Sequence, residues 1–334
     1  MGARRAGCRR RRAQGTFSAH AAGQDPRRDH RNAMSSGRVV VIGSVNCDTS
    51  ARVSAIPRPG ETVLARTLEK SGGGKGANQA LAAARAGGAP TTLISRIGDD
   101  EEGSLLEKAL SNGGVTTQLQ IVPATHTGQA FVTVSETGEN SIVVVPGANN
   151  SALPLNADER AAVAQADVVL LQLETPTDYI RQARHAMRKD GLLILNAAPV
   201  VPMTHSEWDA VDVLVVNQHE AQEITGAGEP PLALDILRRR AGDVIMTLGG
   251  EGSLHSDHEG NVTRIPPFAT KVMDTTGAGD TFCGVLAAHL ANGASITVAL
   301  LNASAAGALS VTKRGAQPSI PTLDEVRALV DSGD

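Results

Sequence analysis

The chain has 334 residues, 41% hydrophobic and 20% charged, enough apolar mass for one large α/β domain with a sizeable core. Aromatic residues make up only 2% and the formal net charge is -4, so the chain offers neither a base-stacking platform nor a field that holds a phosphate backbone, and nucleic acid is not an expected partner. No apolar run is long enough to span a bilayer, and Cys8, Cys47 and Cys283 lack CxxC spacing. The chain therefore reads as a soluble, cytoplasmic protein of a reducing compartment, with no membrane partner.

Residues 1–36 stand apart. They carry Arg9-Arg10-Arg11-Arg12, have no acid before Asp25 and lack an apolar h-region. They read as a disordered basic extension. An organelle transit peptide and a start at Met34 are further readings that composition leaves open.

Residues 37–330 alternate short apolar runs with helix-like stretches, the pattern of βαβ units. Arg38–Ile42 predicts the first strand, Asn78–Ala86 a helix, Thr91–Ile94 a strand and Ser104–Leu110 a helix. Further strands are expected at Val168–Leu171, Leu192–Leu195, Val213–Val216 and Val244–Thr247. Helices are expected around Tyr179–Arg188, Ala221–Ile224 and Leu232–Arg240, then two long ones at Thr281–Ala291 and Ser295–Val311. The strands are continuously apolar rather than alternating. The fold class is therefore α/β, a doubly wound, mostly parallel sheet flanked by helices. Residues 48–71 and 129–145 interrupt the rhythm with short β-like runs, the second a hairpin around Glu136-Thr137-Gly138-Glu139-Asn140. These two insertions are expected to pair into a small β-sheet lid.

Gly43-Ser44-Val45-Asn46-Cys47-Asp48 follows the first strand. Polar groups at the C-terminal end of a parallel strand line the crevice where open α/β sheets bind ligands. No GxGxxG occurs here, which argues against a dinucleotide. Asn46 and Asp48 can offer a donor and an acceptor to neighbouring hydroxyls, although such residues also form turns. Gly72-Gly73-Gly74-Lys75-Gly76-Ala77-Asn78-Gln79-Ala80 lets a ligand lie against the backbone but lacks Walker spacing. A flexible loop with a solvated Lys75 is its plainer reading. Glu174, after Leu171-Gln172-Leu173, reads alone as a solvated acid, and Asn217-Gln218-His219-Glu220 as a helix start favouring the dipole. Thr247-Leu248-Gly249-Gly250-Glu251-Gly252 is a glycine turn after another strand.

The sharpest pattern is Asp274-Thr275-Thr276-Gly277-Ala278-Gly279-Asp280-Thr281-Phe282. Small residues ahead of an Ala-rich helix expose backbone N–H groups at its positive end, which is an anion site. A carboxylate at the mouth of that site repels bound phosphate, so Asp280 makes chemical sense as the acceptor of a proton from an attacking hydroxyl. Service as the helix N-cap is the alternative. Lys313-Arg314-Gly315-Ala316-Gln317-Pro318-Ser319 reads by itself as a basic loop.

Together the strings at Gly72–Ala80 and Asp274–Phe282 resemble the N- and C-terminal signatures of the ribokinase-like (PfkB) carbohydrate kinase family, and the similarity runs from Arg38 to about Val330. The resemblance implies an ATP-dependent sugar kinase acting on the 5-hydroxyl of D-ribose, since GGKGANQA, GSxNxD, QLE and KRGAQPS occur together. It implies Asp280 as catalytic base, with Gly277, Ala278 and Gly279 as anion hole. It assigns Asn46, Asp48, Gly74, Lys75, Asn78 and Glu174 to the sugar, and Asn217, Thr247, Gly249, Gly252 and Gly279 to ATP. Glu220 would organise Mg²⁺ through water, while Asp274, Thr276, Ser310, Lys313, Gly315 and Ser319 would surround K⁺. Lid strands of the family pair between subunits, which implies a homodimer. Acceptors such as 2-deoxyribose or adenosine, or a non-catalytic sugar sensor, are the alternatives. Scarce aromatics argue against a nucleoside, and the retained Asp280 against a sensor. Cys47 departs from the small apolar residue usual at its place, which makes the pocket oxidation-sensitive if the thiol is accessible.

Overall fold

The computed structural model describes residues 36–137 and 139–333. The basic extension, apart from Ser36, and the hairpin residue Gly138 lie outside the described residues. Strand β1 (Val39–Ile42) leads into β2 (Asn46–Arg52), β3 (Thr67–Gly73) and helix α1 (Lys75–Arg85). Then come β4 (Thr91–Gly98), α2 (Glu101–Asn112), β5 (Val115–Val122), β6 (Gly128–Val134) and β7 (Asn140–Val145). A regular alternation follows: α3 (Ala157–Gln165), β8 (Val168–Gln172), α4 (Asp178–Ala186), β9 (Leu192–Asn196), α5 (His205–Trp208), β10 (Val213–Asn217), α6 (Gln218–Thr225), α7 (Pro230–Leu237) and β11 (Asp243–Thr247). The hairpin β12 (Ser253–Ser256) and β13 (Val262–Ile265) precedes α8 (Ala278–Ala291), α9 (Ile296–Ser310) and α10 (Leu323–Ser332).

The main sheet has the order β13-β12-β11-β10-β9-β8-β1-β4-β5 and is parallel except at the β12–β13 edge. Along β1, Val39 and Val41 join one core with residues of α1, α8 and α9. Val40 and Ile42 join a second core with residues of α3, α4, α6 and α7. Burial on both faces is why the central strands read as unbroken apolar runs. Each fully buried Val, Leu or Ile contributes roughly 1.5–3 kcal/mol, so these short strands suffice to fix the sheet. Helix starts are set locally: Asp100 accepts from the Gly103 amide at 2.8 Å, and Asn156 with Glu159 forms a capping box on α3.

The sequence pattern does not announce β5, β12 or β13. All three lie toward the sheet edges, where polar residues are tolerated and the apolar run is broken. The two insertions do pair with each other, as a separate sheet ordered β3-β2-β6-β7 in which β2 is antiparallel to β3 and parallel to β6. Gly72 and Gly73 belong to β3 and are not part of a free loop. Alternation along β2 places Asn46 and Asp48 on one face and Cys47 on the other. Among the described residues no helix is long and apolar enough to cross a membrane.

Candidate active site

Because the central strands are parallel, their C-terminal ends share one edge of the sheet. That edge collects Ser44 after β1, Glu174 after β8, Asn196 in β9, and Asn217 and Thr247, which are register partners in β10 and β11.

Helix α8 starts at the same edge. Its N-cap is Gly277, in the left-handed region at φ 75°, and a Cβ there would stand 2.9 Å from Ala316 Cα. Only glycine meets both demands. Asp280 is therefore not the cap but the third helical residue, 8% exposed. Its Oδ2 accepts from Asn78 Nδ2 at 2.9 Å and its Oδ1 from Gln79 Nε2 at 3.0 Å. Among the described residues the Gly277 and Gly279 amides have no hydrogen-bond partner, whereas the Ala278 amide donates to the Thr275 carbonyl at 3.3 Å. Nothing stands within 4 Å of where a Gly279 Cβ would be. Free donors at the positive end of a helix, bordered by open space, form a corner suited to an anion. The approach of α8 to α1 rests on Gly284, one turn beyond Asp280. A Cβ at that position would meet the Gln79 carbonyl oxygen at 2.3 Å and Ala82 Cβ at 2.7 Å.

Polar groups from β2, α1 and the β8 loop converge beside Asp280. Glu174 Oε2 accepts from Ser44 Oγ at 2.5 Å and from the Lys75 amide at 3.0 Å. Asn46 Oδ1 accepts from Asn149 Nδ2 at 2.7 Å, and Asn149 in turn grips the Val45 backbone. Ser44, Asn46, Asn149 and Glu174 line a cavity of about 450 Å³ together with Val144 of β7. A larger cavity of about 950 Å³ lies at the opposite edge, around Val39 and Thr91, and includes none of these groups. Asp48 Oδ1 and Asn78 Oδ1 are buried and have no hydrogen-bond partner among the described residues. Burial, reinforced by the charges of Glu174 and Asp280, pushes the Asp48 carboxyl up to about 7. For Lys75, burial acts to lower the pKa, but Asp280, Glu174 and Glu220 outweigh it and hold the ammonium above its usual range. Lys75 is the cation of a carboxylate cluster, not the solvated tip of a loop. Cys47 is buried on the face of β2 opposite Asp48, and burial raises its thiol, so the oxidation-sensitive pocket expected from its position is not what the fold builds.

Asn217 and Glu220 form a capping box on α6. Asn217 Oδ1 accepts from the Glu220 amide and Glu220 Oε2 from the Asn217 amide, each at 2.8 Å. Among the described residues the other Glu220 oxygen has no hydrogen-bond partner, and burial raises this carboxyl. After β11, Gly249 borders open space while Gly252 is packed against the Ile265 carbonyl. Farther on, Asp274 Oδ1 accepts from the Thr276 amide and hydroxyl at 2.9 and 2.7 Å, and Oδ2 from the Gly315 amide at 2.9 Å. Burial works to raise the Asp274 carboxyl, but these bonds prevail and hold it below the usual range. One ionised carboxylate thus joins two of the segments assigned to K⁺, and hard oxygen donors of this kind fit a cation. The side chains of Ser310, Lys313 and Ser319 are engaged elsewhere, with Gly307, Glu325 and Ala316 respectively. Among the described residues no three His, Cys, Asp or Glu side chains form a ready metal cluster.

Sequence reasoning missed Gln79, Gln172, Asn196 and Asn149. Gln79 and Gln172 lie inside the strings that carried the resemblance, so a signal existed. Asn149 is 104 residues from Val45, and nothing local marks it.

Residues 36–323 match the pfkB family carbohydrate kinase family. The chain is 38% identical over 297 residues to a ribokinase of Haemophilus influenzae, spanning 86% of this chain and 96% of that protein. It is 37% identical over 306 residues to a bifunctional ribokinase/ribose-5-phosphate isomerase A of Fructilactobacillus sanfranciscensis, covering 88% of this chain but 56% of the longer relative. The solved structure of Arabidopsis thaliana ribokinase complexed with ribose and ATP superposes with a TM-score of 0.82 at 33% identity, covering 88% of this chain and 99% of that one. With its doubly wound sheet, its second small sheet and this extent of similarity, the chain belongs to the pfkB family of carbohydrate kinases.

Proposed function

We propose that the chain transfers the γ-phosphoryl group of ATP to the 5-hydroxyl of D-ribose, with Asp280 as general base. The observation that carries this reading is a buried carboxylate set between free helix-end amides and two orphaned acceptors, Asp48 Oδ1 and Asn78 Oδ1. A polyol supplies the hydroxyl donors those acceptors lack. Asn46, Gly74, Lys75 and Glu174 complete the sugar site, and Asp280 accepts the proton as the hydroxyl oxygen attacks phosphorus. The free amides of Gly277 and Gly279, joined by that of Ala278 when it gives up its 3.3 Å bond to Thr275, face the charge that spreads over the phosphoryl oxygens. Phosphoryl transfer asks mainly for positioning and electrostatics, which this set supplies. ATP lies along Asn217, Thr247, Gly249 and Gly252. Mg²⁺ fits the free oxygen of Glu220 through its water shell and would neutralise phosphate charge. K⁺ fits Asp274, Thr276 and Gly315, with backbone oxygens of the Ser310–Ser319 segment, and would stiffen the turn before Gly277.

The small sheet serves as lid over the sugar. Its strand β7 leaves Ile142, Val143, Val144 and Val145 each 43–61% exposed, which supports pairing with a second copy in a homodimer. The two described cysteines are free and buried, in keeping with a cytoplasmic enzyme. The decisive experiment measures ADP release from the full chain with ribose, 2-deoxyribose, adenosine or no acceptor, each with and without K⁺. Fastest release with ribose, stimulated by K⁺, is expected. Absence of ribose-dependent release rejects the reading, and fastest release with adenosine moves the acceptor to nucleosides.

A further inference from the structure

Beneath Asp280 lies a buried amide network that the proposed chemistry does not yet use. Gln79 is 0% exposed, Gln172 2% and Asn196 8%. Gln79 Nε2 donates to Asp280 Oδ1 at 3.0 Å and to Asn196 Oδ1 at 3.1 Å, while Gln79 Oε1 accepts from Gln172 Nε2 at 2.5 Å. Asn196 is oriented in turn by donating Nδ2 to the Val215 carbonyl at 3.3 Å. A carboxylate can only accept, so the Gln79 amide has a single satisfactory orientation and both its hydrogens are committed. Asn78 differs. It donates to Asp280 Oδ2 but keeps an unpartnered Oδ1.

We propose that Gln79 is the positioning residue of Asp280: it fixes Oδ1 and so leaves Oδ2, the oxygen shared with Asn78, to take the proton of the acceptor hydroxyl. The proposal rests on the reading of Asp280 as base. Asn78 can exchange its bond to Oδ2 for one to an arriving hydroxyl, whereas moving Gln79 breaks three buried hydrogen bonds at once. In the transfer the acceptor O–H bond breaks and its proton bonds to Oδ2. The electron pair left on the acceptor's hydroxyl oxygen forms the new bond to the γ-phosphorus, and the β–γ bridging oxygen departs with ADP. Four titratable groups share the field of Asp280, namely Asp48 on β2, Lys75 on α1, Glu220 on α6 and Cys283 on α8. Substitution at Gln79 leaves all four in place.

The test is a double-mutant cycle in the full chain using Gln79→Met and Asp280→Asn, with kcat and both KM values measured on ribose and ATP. Loss of one hydrogen bond to a charged group predicts a roughly ten- to hundredfold fall in kcat for Gln79→Met, with KM changed by no more than about twofold. In the Asp280→Asn background the same substitution should cost nothing further. A wild-type kcat for Gln79→Met, or an equal loss in both backgrounds, overturns the proposal, the latter because it marks a purely structural role. Full turnover in Asp280→Asn alone instead rejects the base reading, so the two failures are distinct. Should Gln79→Met not fold, the isosteric Gln79→Glu carries the test. Its ionised side chain cannot donate to Oδ1, so kcat must fall at least about tenfold with both KM values changed by no more than about twofold, and a wild-type kcat overturns the proposal.

Discussion

Asn78 Nδ2 stands 2.9 Å from Asp280 Oδ2, across 202 residues of sequence. A residue read as a sugar ligand and the residue read as the base therefore share a hydrogen bond before any sugar is present. Asp280→Asn keeps the size of the side chain and an acceptor oxygen for Asn78 but removes the basicity. Turnover should fall by roughly two to four orders of magnitude, the scale of losing a general base. Ribose binding measured by calorimetry should stay within a few-fold of wild type. Near-normal turnover would remove Asp280 from the chemistry.

Asp48 links pH to both stability and binding. Its carboxyl is raised from 3.8 to about 7, chiefly by burial and then by Glu174 and Asp280. The folded protein thus keeps this proton over a pH range where the unfolded chain has released it. This contribution to stability is complete below about pH 4 and is lost as pH rises through 7. The loss is at most about 4 kcal/mol, and less because part of the side chain meets solvent. Asp48→Asn, which mimics the neutral acid, should leave Tm unchanged near pH 4 and raise it increasingly up to pH 8, while raising the KM for ribose. A Tm difference that does not vary with pH would show that Asp48 ionises freely in the fold.

The strands of the main sheet were legible because burial on two faces leaves an unbroken apolar run, as in Val39–Ile42 and Val213–Val216. The edge strands were not, since β5 reads VTTQLQIV and needs no continuous apolar face. Asp280, Asn78 and Lys75 were legible because backbone geometry and chemistry coincide in short glycine-rich strings. Asn149 and Asn196 were invisible, because each acts through a contact that exists only once distant strands are assembled. The glycine string before α1 was half legible: its role near a ligand could be read, but the membership of Gly72 and Gly73 in a strand depends on pairing with β2.

Gly284 tests whether helix packing sets the geometry of the site. With the Gln79 carbonyl oxygen 2.3 Å from where its Cβ would stand, any side chain must push α8 away from α1. Gly284→Ala should destabilise the protein by about 1–3 kcal/mol, the cost of overpacking a tight core. Because Asp280 lies one turn away, kcat should fall more than KM changes. A folded Gly284→Ala variant with unaltered kcat would mean that the site tolerates a shifted α8.

The exposed strand β7 makes the quaternary prediction. Val143 pairs with Phe131, and the two are 61% and 47% exposed on the face of the small sheet away from Asp48. Contiguous apolar side chains on a strand at the sheet edge invite a partner, and a second copy brings the same surface. Val143→Asp places a charge in the middle of that patch without touching the main sheet. It should turn a dimer into a monomer in sedimentation equilibrium while leaving far-UV circular dichroism unchanged. If closure of the lid depends on the partner's strands, the same variant should raise the KM for ribose and leave the KM for ATP near wild type. A wild-type chain that sediments as a monomer at micromolar concentration removes the dimer, and with it the expected effect on ribose.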